Sequence, residues 1–126
     1  MTANVIKTDN APAPIGPYSQ AVSTGGLLFV SGQIALNPLT QTIEAKDVAE
    51  EAKQVMANIK AILMEAGMDF NNIVKTTIYL SDMSLFAEVN EIYATYFTSN
   101  FPARETLAVK GLPKNVNVEI SVIAAM

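Results

Sequence analysis

Hydrophobic and polar positions repeat along the chain with two different periods, and each period predicts a different kind of element. From Asp47 to Ala66 the apolar residues fall on one face at a spacing near 3.6, which predicts an amphipathic helix. Asp47 and Glu50 suit its first turn, and Gly67 suits a left-handed stop. A second segment, Ser84 to Phe97, has the same period and predicts a second helix.

Shorter segments that are rich in β-branched residues, or that alternate with period two, predict strands. These segments are Val5–Thr8, Tyr18–Thr24, Leu27–Val30, Ile73–Leu80, Ala103–Val109 and Val116–Ala124. The run Leu27–Val30 is apolar throughout, which predicts a strand buried on both faces. Gly25 and Gly26 before it are typical of a hairpin turn.

The order of these elements predicts an α+β protein, a two-layer sandwich with two helices on one face of one sheet. At 126 residues we expect one domain, residues 1–126. The other face of the sheet then needs cover. Half of the residues are hydrophobic and only 16% are charged, against roughly 25% in typical domains. We therefore expect a homo-oligomer in which another subunit's sheet supplies that cover.

The composition excludes several classes of chemistry. The chain has no Cys and no His, so disulfides, thiolate nucleophiles, imidazole bases and most zinc sites are excluded. The net charge of −4 argues against a protein that binds nucleic acid by neutralising phosphates. The sequence shows no signal peptide and no apolar run near the ~20 residues of a membrane span, so we expect a soluble cytoplasmic protein.

Two residues are the strongest candidates for chemistry. Glu119 lies mid-strand between apolar neighbours; it is either a solvent-facing strand residue or a partly desolvated acid suited to moving protons on water. Arg104 is the only arginine and follows Pro102. It either forms a surface ion pair, with Glu105 or a nearby helix, or grips a carboxylate or phosphate through two parallel hydrogen bonds.

Two short loops and the helix carboxylates are weaker candidates. Ser31-Gly32-Gln33 follows an apolar strand and is either an anion cradle or an ordinary turn. The rigid loop around Pro17 either presents the Tyr18 phenol or caps a strand. The acidic residues on or near the long helix, Glu51 among them, are expected to be solvated.

Taken together, these segments resemble the RidA (YjgF/YER057c/UK114) family over nearly the whole chain. The resemblance is carried by the following segments, in order: Gly16-Pro17-Tyr18-Ser19-Gln20-Ala21, Leu28-Phe29-Val30-Ser31-Gly32-Gln33, Val89-Asn90 with Tyr93, Pro102-Ala103-Arg104, and Leu112-Pro113 before Val118-Glu119-Ile120. The Pro-Ala-Arg segment, followed by the Glu-Ile strand some fifteen residues later, is its most specific signature.

The resemblance implies a fold, an assembly and an activity. The fold is the chorismate mutase-like α+β fold, and the assembly is a homotrimer with a central β-barrel and a ligand cleft at each subunit boundary. The activity is deamination of 2-imino and 2-enamino acids, such as 2-aminoacrylate and 2-iminobutyrate, to 2-keto acids and ammonia. Dehydratases dependent on pyridoxal phosphate release those intermediates, and the family itself uses no metal or organic cofactor.

The resemblance also implies roles for individual residues. Arg104 is expected to clamp the substrate carboxylate, and Glu119 to position and activate the attacking water. Cleft residues follow from the same motifs: Tyr18, Ser31, the Gly32 amide, Asn90 and the Thr106 backbone amide.

Two positions depart from the family pattern. Glu105 replaces a small residue; strand alternation predicts that it points away from the cleft, whereas an irregular strand start brings its charge to Arg104. Thr106 replaces a cysteine found in many enamine-active members. These departures keep open a non-catalytic carboxylate-binding regulator. A ribonuclease or translation inhibitor is the remaining alternative, disfavoured by charge and by the lack of His.

Overall fold

A single mixed sheet of six strands organises the chain, as seen in a computed structural model that describes residues 2–126. The strands are β1 Asn4–Ile6, β2 Ala21–Thr24, β3 Leu27–Gln33, β4 Ile73–Leu80, β5 Ala103–Ala108 and β6 Val118–Ala125. Their order is β1-β2-β3-β6-β4-β5, and β4 and β5 are parallel while all other neighbours are antiparallel. The predicted α+β class is confirmed.

The long helix α1, Val48–Glu65, begins and ends where the sequence predicts. The Asp47 carboxylate accepts a hydrogen bond of 2.8 Å from the Glu50 amide, and the Glu50 carboxylate accepts one of 2.9 Å from the Lys46 amide. Gly67 has φ +74°, the left-handed conformation that ends a helix at low cost for glycine. No helix within residues 2–126 is long and apolar enough to cross a membrane.

The second helix, α2, is Phe86–Ala94 and is shorter than the predicted Ser84–Phe97. A separate 3₁₀ turn, Met83–Leu85, precedes it, with the Asp82 carboxylate accepting from the Ser84 amide. Beyond Ala94, the Thr95 hydroxyl donates to the Ile92 carbonyl at 2.7 Å. Side-chain hydrogen bonds of this kind compete with the helix for backbone groups and shift its ends.

The first predicted strand ends early and the second begins late because Gln20 bonds the loop between them. Its side-chain oxygen accepts from the Thr8 amide at 2.8 Å, and its amide nitrogen donates to the Thr8 and Pro12 carbonyls at 3.0 and 2.9 Å. The backbone near Thr8 is therefore bonded to this side chain, outside the strands. At the other end, β6 begins at Val118, after a 3₁₀ turn at Pro113–Asn115.

The core lies between the two helices and one face of the sheet. Its fully buried side chains include Leu28, Val55, Met56, Ile59, Ile62, Leu63, Ile78, Leu80, Val118 and Ile120. The prediction that Leu27–Val30 is buried on both faces is wrong for the single chain. Leu28 and Val30 are buried, but Leu27 and Phe29 are 38% and 42% exposed, because both helices lie on the other side. We call this open side of the sheet the uncovered face.

Glu51 on α1 is buried, and the expectation that it is solvated is wrong. One of its carboxylate oxygens accepts from the backbone amides of Asn117 and Val118 at 2.6 and 3.2 Å. The other accepts from the Asn117 side chain at 3.0 Å. With only 5% of its surface exposed, Glu51 joins α1 to the start of β6, and so fixes the strand that carries Glu119.

Candidate functional site

Four of the residues predicted for the site line one cavity of about 360 Å³. They are Tyr18, Ser31, Gly32 and Glu119. The cavity is bounded by the loop before β2, the end of β3 and the start of β6. We refer to it as the Glu119 cavity.

A β-bulge shapes one wall of the Glu119 cavity. Val30 pairs with Val122 and Gln33 with Ile120, so Ser31 and Gly32 together face a single residue of β6. A Cβ atom on Gly32 would overlap the Glu119 carboxylate and lie 2.8 Å from its Cδ. The absence of a side chain on Gly32 therefore allows Glu119 to occupy its place.

Glu119 is a half-buried carboxylate on the uncovered face. Its neighbours Val118 and Ile120 point into the core, and its cross-strand partner is Tyr79 on β4. Burial raises its pKa above the ordinary value of 4.5. Within residues 2–126 no hydrogen bond or ion pair reaches its carboxylate. A carboxylate in this setting exchanges protons more readily near neutral pH than a solvated one.

Tyr18 and Ser31 are fixed by contacts within the chain. The Ser31 hydroxyl donates to the Ser19 carbonyl at 2.6 Å, and the Ser31 amide donates to the Gln20 carbonyl at 2.9 Å. The Tyr18 ring is about half exposed, and its hydroxyl accepts from the Ile15 amide at 3.3 Å. The Ser31 hydroxyl proton is thus used to hold the loop.

Arg104 on β5 lies against α2. Its Nη1 donates to Asn90 Oδ1 at 2.6 Å, and its Cζ lies 5.3 Å from the Tyr93 ring centre and 5.7 Å from that of Phe86. The Tyr93 hydroxyl in turn donates to the buried Thr76 hydroxyl at 2.9 Å. One amide and two aromatic rings therefore hold the guanidinium in a fixed direction.

Arg104 forms no ion pair with any carboxylate of residues 2–126. Glu105, which only an irregular strand start would bring to Arg104, points to the opposite face and pairs with Lys75 Nζ at 2.8 Å. Arg104 also borders a second cavity of about 480 Å³, which is lined by Asn90, Tyr93, Ala94, Phe101 and Pro102 as well. Much of its bidentate hydrogen-bonding capacity is therefore free for an anion.

The two principal candidates, Arg104 and Glu119, do not meet within one chain. Arg104 pairs with Thr76 and lies on the helix side of the sheet, whereas Glu119 lies on the uncovered face. Two strand spacings, about 10 Å, and three residues of strand length, about another 10 Å, also separate them. The chain therefore presents two half-sites with opposite charges.

Thr106 lies two residues from Arg104, on the same side of β5, opposite Ile78. Its hydroxyl oxygen is buried and has no hydrogen-bond partner within the described chain. Thr106, one of the two residues that depart from the family pattern, therefore lies on the same strand and the same side as Arg104.

Sequence reasoning missed the aromatic setting of Arg104. Phe86, Asn90 and Tyr93 follow the spacing i, i+4, i+7, which places them on one face of α2 and was a usable signal. It also missed Gln20 and Ile15 in the wall of the Glu119 cavity. No group of three or more Asp or Glu side chains clusters in a way that suits a metal within residues 2–126.

Comparisons with known proteins place the chain in a family. The family model described as Endoribonuclease L-PSP matches residues 8–126. A RutC family protein of Pyrococcus horikoshii is 51% identical over 120 residues, covering 95% of each chain. The chain belongs to the RidA family.

Two further relatives relate the family to a fold and to an activity. A Yersinia pestis structure, described as a protein of unknown function of the conserved Rid family, superposes with a TM-score of 0.96 at 47% identity, covering 99% of this chain and all of the other. The mouse protein named 2-iminobutanoate/2-iminopropanoate deaminase is 51% identical, covering 95% of this chain and 89% of its own. The mixed six-stranded sheet with two helices is thus the fold of Rid-family structures.

Proposed function

We propose that this protein is a deaminase that hydrolyses 2-imino and 2-enamino acids, such as 2-aminoacrylate and 2-iminobutyrate, to 2-keto acids and ammonia. The observation that carries the proposal is the half-buried, unpartnered carboxylate of Glu119 in a cavity of small-molecule size. The activity in the name of the mouse relative, at 51% identity, supports it.

The site is completed between subunits of a homotrimer with a central barrel. In one chain Arg104 and Glu119 lie on opposite faces of the sheet, so a second copy has to supply one of them. The uncovered face carries the partly exposed apolar side chains Phe29, Leu27 and Leu107, which an adjoining subunit would bury. Each cleft then takes Arg104 from one subunit and Glu119 from its neighbour.

The chemistry needs no strong nucleophile, because the imine carbon is already electrophilic. Arg104 binds the substrate carboxylate and orients the C=N bond. Glu119 takes a proton from water as the new C–O bond forms at C2, and returns it to nitrogen. In the resulting carbinolamine, Glu119 then carries the hydroxyl proton to the nitrogen as the C=O bond forms and the C–N bond breaks, so that one water and one imino acid yield one keto acid and one ammonia. For an enamine, protonated Glu119 first delivers a proton to C3, which produces the protonated imine and leaves Glu119 as the carboxylate that accepts the proton from water.

The remaining residues bind and orient the substrate. Asn90 holds the guanidinium, and the Thr106 backbone amide adds a donor for the same carboxylate. Tyr18, Ser31 and the Gly32 amide line the other half of the cleft. The reaction as written requires no cofactor, and dehydratases dependent on pyridoxal phosphate supply the imine. The whole chain acts as one domain.

A coupled assay tests this function. A dehydratase generates the imine in situ, and the release of keto acid is measured with and without the protein. We expect faster release with wild type, and a loss of roughly 10²–10³-fold in kcat/KM for Arg104→Ala, because its carboxylate anchor is removed. Arg104→Ala with wild-type activity would overturn the proposal. Tight keto-acid binding without turnover would instead support the non-catalytic regulator. RNA cleavage by the purified protein that is lost when Glu119 is replaced would support the ribonuclease.

A further inference from the structure

The Glu119 cavity is larger than water, an imine carbon and an amine require. In the single chain its volume is about 360 Å³, and a water molecule takes about 30 Å³ in the liquid. Apart from the four predicted site residues, its wall is mostly apolar: Pro12, Ala13, Ile15, Ile34, Leu36 and Pro113. The reaction described above uses none of these six side chains.

The amide groups of Gln20 and Gln33 and the Ser31 hydroxyl in the same wall already donate within the chain, whereas the Tyr18 hydroxyl accepts a hydrogen bond and keeps its proton available. The Gln20 amide group donates to the Thr8 and Pro12 carbonyls, and that of Gln33 donates to the Ser31 carbonyl at 3.2 Å. The Ser31 hydroxyl donates to the Ser19 carbonyl. A polar substituent that entered the cavity would lose its water and gain few partners, whereas an apolar one would lose nothing.

The rim of the cavity also has an unpacked apolar side chain. Ile15 is 60% exposed although it stands in a loop rich in proline. The Gln20 bonds to this loop fix it from the buried side, so the wall is formed before a ligand arrives. An apolar ligand group would cover Ile15 without requiring the loop to order first.

We propose that this apolar part of the Glu119 cavity is the subsite for the substrate's side chain, and that it selects long or branched aliphatic imino acids over the methyl-bearing one. The inference rests on the proposed function. C2 of the substrate bears a carboxylate, a nitrogen and a side chain. The carboxylate is directed to Arg104 of the neighbouring subunit and the nitrogen leaves, so the side chain is the substituent that faces the apolar wall.

Imines made in situ by an amino-acid oxidase test the selection. We expect kcat/KM for the leucine-derived imine to exceed that for the alanine-derived imine by about tenfold or more, since each extra buried methylene adds discrimination. Ala13→Leu fills the cavity from an exposed loop position and should lower this ratio several-fold. Ala57→Leu, on the exposed side of α1, is the matched control and should leave the ratio unchanged. A wild-type ratio near one, or a ratio that Ala13→Leu leaves unaltered, would overturn the inference.

Calorimetry with the keto-acid products separates failure of the subsite from failure of the reaction. If the subsite exists, 4-methyl-2-oxopentanoate should bind about tenfold tighter than pyruvate, and Ala13→Leu should remove the difference. That result without turnover of any imine would reject the proposed function and keep the subsite. Turnover of both imines with equal kcat/KM, and equal binding of both keto acids, would reject the subsite and keep the proposed function.

Discussion

The two charged half-sites of this protein are built in opposite ways. Arg104 is held by Asn90, Phe86 and Tyr93, so its direction is fixed before any ligand binds. Glu119 is half-buried without a polar partner in the described chain, so its charge is poorly stabilised. The two groups complement each other, because the Arg104 guanidinium lacks an anionic partner and the Glu119 carboxylate lacks a hydrogen-bond donor. Within one chain they lie on opposite faces of the sheet.

The largest expected change in activity comes from mixing two variants, each of which lacks one of the two half-sites. The Arg104→Ala and Glu119→Gln variants should each be nearly inactive. If the protein is the proposed trimer with clefts between subunits, random mixed assemblies should regain about one quarter of wild-type activity, because that fraction of boundaries joins an intact Arg104 to an intact Glu119. The measurement is kcat after the subunits are unfolded together and refolded. A mixture as inactive as its components would show that both residues serve the same chain's site.

Gly32→Ala should specifically disturb the Glu119 half-site. The new Cβ cannot coexist with the present position of the Glu119 carboxylate, so we expect kcat to fall by roughly 10–100-fold. Gly111→Ala is the matched control, since no atom lies within 4 Å of a Cβ there and its φ is unstrained. Equal kcat in both variants would mean that the position of Glu119 does not limit turnover.

Glu51 on α1 offers a contrast with Glu119, because its carboxylate contacts the start of the strand that carries Glu119. Glu51 accepts three hydrogen bonds and Glu119 accepts none within the described chain. Glu51→Ala leaves two backbone amides unpaired and should cost about 3 kcal/mol in the free energy of unfolding, whereas Glu51→Gln should recover part of it. Thermal unfolding measures both variants, with exposed Glu91→Ala as the control. A loss under about 1 kcal/mol would show that water replaces the carboxylate.

The raised pKa of Glu119 predicts a dependence of stability on pH. The folded state keeps this proton at a pH where the unfolded state has released it, so the contribution of Glu119 to stability falls as pH rises above 4.5. Glu119→Gln should therefore match wild type in melting temperature near pH 4 and exceed it near pH 7. A difference that is constant across this range would mean that burial does not perturb the carboxyl group in the assembled protein.

Glu105 should give the smallest effect. Its ion pair with Lys75 is exposed and lies on the side of β5 away from Arg104. We expect Glu105→Ser to change stability by less than about 1 kcal/mol and kcat/KM by less than about twofold. Lys75→Ala is the companion variant with the same expected stability loss. A large rise in carboxylate affinity in Glu105→Ser would show that Glu105 does compete for Arg104.

Local periodicity was enough to predict most of the elements. The α1 helix and β4 were predicted with almost the right bounds because their period and caps agree. The ends of α2 and of the first two strands were not, because Thr95 and Gln20 bond backbone groups through side chains. Such contacts depend on where a side chain folds back, which no spacing in the sequence encodes.

The sequence was enough to predict which residues belong to the candidate site, but not where each of them lies in the fold. Strand alternation predicted that Glu105 points away from the cleft; in the structure Glu105 points away from Arg104 and lies on the same face of the sheet as Glu119. Tyr18, Ser31, Gly32 and Glu119 do share a cavity. The face on which Arg104 lies follows from the parallel pairing of β4 with β5, a long-range register that composition cannot reveal. Burial of Glu51 likewise depends on the approach of β6 to α1.

The placement of Arg104 and Glu119 on opposite faces of the sheet also has a consequence for how activity depends on protein concentration. If every cleft takes one residue from each of two chains, an isolated subunit has no complete cleft and is inactive. Activity per chain then rises with protein concentration until the subunits are fully assembled.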